Sequence, residues 1–160
     1  MVRGRFRGLT EPGFTMAELL MVVAIVGIVS AVSTPFFMRY MQSASLKAAA
    51  QELATIVNGA RQLAIARNTN VCVLLVSNQA TYRTGVTNMC GGGTLYLGGG
   101  TRTNGTMPLD NSITISGTTA SVVFSPLGAA VMAGTYTVRN PTTNLTLNVV
   151  VATTGRVTVQ

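Results

Sequence analysis

The chain contains no histidine. Mechanisms that need an imidazole are therefore excluded: Ser-His-Asp triads, His-ligated metals and His general bases. Its two cysteines are too few for a four-thiolate zinc site. Charge is scarce as well. Only 9% of the 160 residues are charged and four are acidic, against about 25% charged in an ordinary soluble domain. An ordinary cytosolic protein does not fit that composition. Disorder does not fit either, because 48% of the residues are hydrophobic and mean hydropathy is +0.44. The length sets a prior of one compact domain.

The charge that is present, 11 basic residues for a formal net charge of +7, is unevenly placed. Arg3, Arg5 and Arg7 stand in residues 1–13 with one acid, Glu11. From Leu19 to Met38 a run of 20 residues carries no charge at all. A membrane-spanning helix needs roughly 20 apolar residues. Basic residues ahead of such a run keep the N-terminus cytoplasmic and send the rest of the chain outward. Without residues 1–13 the chain has 8 basic and 3 acidic residues, a charge of +5. Part of the basicity therefore belongs to the leading segment.

Three readings fit this start. One is a secretory signal removed whole, with Ser30-Ala31-Val32-Ser33 as a small-residue cleavage site. Another is a simple single-pass anchor. The third is a leader cut ahead of the apolar run, so that the run stays with the mature protein. Glu18 favours the third, because a carboxylate at the edge of an apolar stretch is costly without a partner. A cut after Gly13 would make Phe14 the new terminus, with its α-amine one helical turn from Glu18. The pair could form within one chain or between neighbouring chains, where it would set an axial register. The plainer alternative is a Glu18 that stays hydrated at the lipid headgroups.

Gly13-Phe14-Thr15-Met16-Ala17-Glu18-Leu19 closely resembles the type IV prepilin motif, Gly-Phe-Thr-Leu-x-Glu followed by an apolar helix. Met16 takes the place of the usual leucine and keeps an unbranched apolar side chain. Pro35 is the twenty-second residue counted from Phe14, where pilins commonly carry a helix-kinking proline. The resemblance implies that a prepilin peptidase cuts after Gly13 and methylates Phe14, and that Glu18 serves assembly. Further on, Ala60-Arg61, Ala64-Ile65-Ala66-Arg67-Asn68 and Val71-Cys72-Val73 are similar to GspH/FimT-type minor pilins and pseudopilins. So are Val123-Phe124-Ser125-Pro126-Leu127-Gly128, with its Phe-x-Pro-x-Gly pattern, and the closing Gly155-Arg156-Val157.

Read physically, Phe14 to about Asn68 forms one long helix of about 80 Å. Its first half is apolar all round, and Pro35 should bend it. Beyond Arg39, the residues Leu46, Ala50, Leu53, Val57, Ala60 and Ala64 recur at spacings of three and four, with Lys47, Gln51, Glu52, Arg61 and Gln62 largely off that stripe. From Val71 onward the signals are strand signals. Strands are predicted over Cys72–Ser77, Thr81–Val86, Thr94–Leu97, Ile113–Ser116, Ser121–Ser125, Thr135–Arg139, Leu145–Ala152 and Arg156–Val159. The expected fold is α+β: a protruding apolar half-helix, and an amphipathic half packed on an antiparallel sheet in the manner of pilins. The expected organisation is a leader at 1–13, an apolar membrane or filament-core helix at 14–38, and a periplasmic globular domain at 39–160. Gly91–Gly93 and Gly98–Gly100 lack the strand before, the helix after and the Lys of a phosphate-binding loop, so they read as turns or a mobile loop. If the domain is exported, its compartment favours a Cys72–Cys90 disulfide. The alternative is a buried Cys72 thiol and a free Cys90.

The resemblance implies a structural subunit of a type IV pilus or a type II secretion pseudopilus. Its implied partners are other pilin or pseudopilin subunits, the prepilin peptidase and inner-membrane lipid, and it needs no cofactor. The implied location is the bacterial inner membrane, single-pass, with the domain in the periplasm. The alternative is DNA uptake, since some FimT-like minor pilins bind DNA through a Gly-Arg-x-Arg pattern. Here Gly155-Arg156-Val157-Thr158 lacks the second arginine, and Arg139 with Arg156 would have to serve. Catalysis is not expected. Glu52 on a helix and Asp110 in a turn form no carboxylate pair, Ser125 and Ser112 have no plausible base, and no metal cluster is evident.

Overall fold

A computed structural model describes residues 13–76, 78–87, 89–109, 113–117 and 121–160. Of the leader expected over residues 1–13, residues 1–12 lie outside the described residues, as do the readings of Ser77, Asp110 and Ser112. The chain divides into two compact units, one ending at Arg39 and the other running from Tyr40 to Gln160.

The helix α1 (Met16–Arg67) enters both. Local chemistry fixes its ends. Thr15 is the N-cap: its Oγ1 accepts the Glu18 N–H at 3.2 Å, and its carbonyl accepts the Leu19 N–H at 3.1 Å. Thr15 and Glu18 are spaced as a capping box, which satisfies donors that the first turn would otherwise leave free. At the other end Asn68 takes φ +48°. Its N–H bonds the Ile65 carbonyl at 3.3 Å, and the Thr69 N–H reaches back to Ala64 at 3.2 Å. That pair of bonds is the Schellman closure, and asparagine tolerates the left-handed conformation it requires.

In the first unit the helix presents apolar side chains on every side. Leu20, Val23, Ile28, Val32 and Phe36 are all exposed, and an 18-residue window has mean hydropathy 2.3. This stretch is long and apolar enough to cross a membrane. Pro35 lies inside α1 and offers no N–H to the carbonyl four residues back. Just before it, Ser33 Oγ and Thr34 Oγ1 donate to the Val29 and Ser30 carbonyls at 2.8 Å each. These bonds satisfy hydroxyls that have no other place in an apolar surround.

In the second unit α1 buries Leu46, Ala49, Ala50, Leu53, Val57, Ala60 and Ala64, the stripe the spacing predicts with Ala49 added. Burying Leu53 and Val57 contributes about 1.5–3 kcal/mol each. Among the described residues ten strands complete the unit: β1 (Val71–Val76), β2 (Gln79–Thr84), β3 (Thr94–Leu95), β4 (Thr106–Pro108), β5 (Thr114–Gly117), β6 (Ser121–Phe124), β7 (Ala130–Met132), β8 (Gly134–Arg139), β9 (Thr146–Val151) and β10 (Val157–Val159). They form two sheets, where the sequence pattern predicts one. The order is β3-β2-β1-β6-β7 in the first, with β4 also on β2, and β10-β9-β8-β5 in the second. All the pairings are antiparallel. Strands β4 and β7 are absent from the sequence-based expectation. Each has three residues, β4 ends in Pro108, and β7 opens on Ala130, so neither carries a strand signature.

The core joins the helix stripe to Val71, Val73, Val122 and Phe124 of one sheet and to Tyr136, Val138, Val149 and Val151 of the other. Alternation sends Cys72 and Val123 to the opposite face of the first sheet, where they form a smaller cluster with Val86.

Candidate functional site

The N-terminal motif is assembled by the cap at Thr15. Phe14 is 79% exposed, and Gly13 has open space where a Cβ would stand. Glu18 is exposed, and its Oε2 lies 3.5 Å from the Thr15 hydroxyl. Thr15 therefore holds the first turn, and Glu18 remains open to a second, charged partner. The carboxylate also suits this end of the helix, where backbone N–H groups concentrate positive charge.

A second constellation lies in the globular unit. Arg61 on α1 donates Nε–H to the Gly128 carbonyl at 2.9 Å, across 67 residues of chain. Gly128 closes the β6–β7 turn at φ +79°. Its N–H bonds the Ser125 carbonyl at 2.9 Å, and the Ser125 N–H bonds Ala129 at 2.8 Å. Gly155, at φ +80° in the β9–β10 turn, lies directly against it: a Cβ there would come within 1.9 Å of the Gly128 oxygen. The Ala130 N–H also bonds the Thr153 carbonyl at 3.0 Å, tying one sheet to the other. The three short motifs around Arg61, Gly128 and Gly155 thus meet at one junction of helix and both sheets. Ser125 serves this turn through its backbone.

The two arginines considered for DNA do not meet. Arg139 ends β8 opposite Thr146, and its guanidinium bonds Asn144 Oδ1. Arg156 stands beyond the Val151 end of β9, where its carbonyl accepts the Ala152 N–H. The length of β9, about 17 Å, separates them. The expectation that they could form one basic patch is thereby corrected: β8 and β9 are antiparallel, so adjacent positions in the hairpin bring Arg139 to Thr146 rather than to Arg156.

Cys72 and Cys90 are brought together as a disulfide pair with Cα atoms 5.5 Å apart. Cys72 is fully buried beside Val123, and Cys90 comes from the loop that covers that face. A closed loop of this size stabilises by about 3 kcal/mol. We expect Cys90→Ser to lower thermal stability by that order, and thiol labelling of the protein from its native host to require reductant. Quantitative labelling of both thiols without reductant would exclude the bond.

A cleft of about 540 Å³ opens on the other flank of the helix, between α1 and the 96–108 segment. Tyr82 Oη donates to the Ile56 carbonyl at 2.5 Å. A Cβ on Gly59 would lie 2.8 Å from that oxygen, so glycine lets the ring lie against the helix. Burial first, then the neighbouring Tyr96, pushes the Tyr82 phenol up to about 12, which keeps it a donor. The Arg67 guanidinium lies 5.4 Å from the Tyr96 ring centroid. Glu52 lines the cleft and makes no ion pair or hydrogen bond among the described residues.

Sequence reasoning passed over Asn78. At φ +58° it turns the chain after β1. Its amide then pairs with β5 as a strand would: Nδ2 donates to the Ile113 carbonyl, and Oδ1 accepts the Ile115 N–H at 3.2 Å. An asparagine after a strand signals a turn, but nothing local points to a partner 35 residues away.

A long N-terminal helix followed by antiparallel sheets, with the helix stripe in the core, is the architecture of a type IV pilin-like subunit. The family model described as Type II transport protein GspH matches residues 49–155. The chain belongs to the GspH family, a family of structural pilin and pseudopilin subunits. Two crystal structures of the type IV minor pilin FimU from Pseudomonas aeruginosa share its fold, each with a TM-score of 0.54. Identity is 16% over 72% of this chain and 87% of FimU in one, and 15% over 71% and 91% in the other. No curated protein sequence matches.

Proposed function

We propose that this protein is a minor pilin or pseudopilin. It waits in the inner membrane by its apolar helix and is built into a type IV pilus or a type II secretion pseudopilus after processing. A prepilin peptidase cuts between Gly13 and Phe14 and methylates the Phe14 amine. Residues 14–38 then form the membrane and filament-core helix, bent at Pro35, and residues 39–160 form the periplasmic head. The observation that carries this reading is a helix that begins at a capped turn bearing one exposed carboxylate and then runs without charge, apolar on every face, from Leu19 to Met38. Such a helix leaves lipid for neighbouring helices at small cost, because both surroundings are apolar. The new amine and Glu18 form an ion pair, within the chain or with a neighbour, that offsets the desolvation of the acid.

Mass spectrometry of the protein from its native host tests the processing. The expected polypeptide begins at an N-methylated Phe14. An intact leader, or a chain beginning downstream of Ala31, would overturn the proposal.

A further inference from the structure

The two sheets end in four edges, and three of these are closed among the described residues. At the β4 edge the Thr106 N–H bonds Asn104 Oδ1 at 3.2 Å, the Thr106 carbonyl accepts the Arg102 N–H at 2.9 Å, and Pro108 has no N–H to offer. The β3 strand on the same side has only two residues. At the β5 edge the Asn78 amide takes the Ile113 carbonyl and the Ile115 N–H. At the β7 edge the Ala130 N–H bonds Thr153 of the other sheet. An open edge is a template for another chain, and natural sheets guard theirs by such means.

The β10 edge has no such guard. Its ladder to β9 extends from Arg156 to Gln160: the Arg156 carbonyl accepts the Ala152 N–H at 2.9 Å, and Gln160 exchanges both bonds with Asn148 at 2.8 Å. Antiparallel bonds fall on alternate residues. Thr158 therefore pairs with Val150, and the N–H and C=O groups of Val157 and Val159 point away from β9. No strand lies on that side among the described residues. Val157 and Val159 stand opposite Val151 and Val149, so the apolar core face reaches this edge. Val159 remains 40% exposed there. A further strand with apolar residues at alternate positions would finish covering that face.

Charge selects where such a strand comes from. Arg156 is exposed at the start of the ladder, and its guanidinium has no bonded partner among the described residues. The ten strands of this chain contain no Asp or Glu. The acids of residues 14–160 are Glu18 and Glu52 on α1, and Asp110 outside the strands. A second copy thus has no strand that sets a carboxylate beside Arg156.

We infer that the β10 edge receives an extended strand of a different filament subunit, paired to the backbone of Val157 and Val159, with an acidic residue beside Arg156. Backbone bonds hold such a strand, and its alternate side chains give selectivity. The inference deepens the minor-subunit reading and rests on it for the kind of partner.

Full-length protein carrying Gln160→Cys, labelled with a benzophenone maleimide in the native host, tests it. Gln160 is exposed, and a strand added to β10 would lie about 5 Å away. Unsubstituted chains set the background. Illumination should join the chain to one other subunit, and mass spectrometry should place the link in an extended segment with alternate apolar residues and an acid. Val159→Pro removes only an outward N–H, so it should leave the melting temperature unchanged and cut bridging about tenfold. Val159→Lys, a charge of the kind that guards natural edges, should do the same. Thr158→Pro removes an N–H bonded to β9 and should lower the melting temperature. Arg156→Glu should weaken bridging severalfold. The pairing is overturned by links only between copies of this chain, by links only to a helix, or by bridging that survives both Val159 variants. Equal destabilisation by Val159→Pro and Thr158→Pro also overturns it, because the outward groups would then be the wrong ones. Chain masses are measured in the same samples. Chains that begin at Phe14 and do not bridge sink the pairing alone, whereas unbridged chains with an intact leader sink the filament reading as well.

Discussion

Replacing Gly155 with alanine is expected to lower the melting temperature of the head by 10 °C or more. Two costs combine. At φ +80° an alanine takes a left-handed conformation that costs about 1–2 kcal/mol. The added Cβ also falls 1.9 Å from the Gly128 oxygen and 3.0 Å from its carbon, both backbone atoms. Neither can swing aside as a side chain would. One of the two turns must move, which strains the Arg61–Gly128 bond and the Ala130–Thr153 bond that joins the sheets. Overpacking of this kind costs about 1–3 kcal/mol, so the sum is about 2–5 kcal/mol. A small domain has only about 5–15 kcal/mol of net stability. Gly85 supplies the control. It sits at φ +73° with open space around its missing Cβ, so Gly85→Ala should cost only the conformational part. Thermal denaturation of the full-length protein in detergent compares them. Equal shifts for the two variants would show that the glycine-on-glycine contact carries no weight.

Glu18→Ala should be processed and inserted like the wild type, yet enter filaments at least a hundredfold less. Its insertion is undisturbed because alanine keeps the backbone N–H that Thr15 caps and is a good helix former. What is lost is the negative charge. In the filament the Phe14 amine would then be buried without a partner, and breaking one side of a buried pair costs about 3–5 kcal/mol. Glu18→Gln separates charge from hydrogen bonding. It keeps the capping-box geometry and should fail as badly as alanine. Thr15→Ala removes the cap, worth about 1 kcal/mol, and should cost far less incorporation. The amount of mature chain in sheared filaments, against the amount in membranes, measures each. Normal incorporation of the glutamine variant would mean that Glu18 acts through hydrogen bonding and not through charge.

The helix was the most legible part of the sequence. Its apolar run and its stripe from Leu46 to Ala64 are local features, set by spacing alone, whereas the cap at Thr15 emerged only with the structure. The strands were nearly as clear wherever β-branched residues clustered, and in β9 Leu147 and Val149 turn inward while Thr146 and Asn148 are exposed. Strands β4 and β7 escaped notice because three residues next to Pro108 or starting at Ala130 show no period. The cleft escaped as well. Its walls come from the helix, from Tyr82 and from a segment beyond residue 95, which no spacing rule connects.

The sequence by itself determined that this chain has an apolar helix, an amphipathic continuation and a β region, because each depends on interactions between residues a few positions apart. Only the tertiary structure decided that the strands divide into two sheets. It also decided that Arg61, Gly128 and Gly155 converge while Arg139 and Arg156 stand apart. Those relations are set by strand register and by backbone packing between segments as distant as Arg61 and Gly128, 67 residues apart, and register depends on which partners a strand meets once the chain has closed on itself.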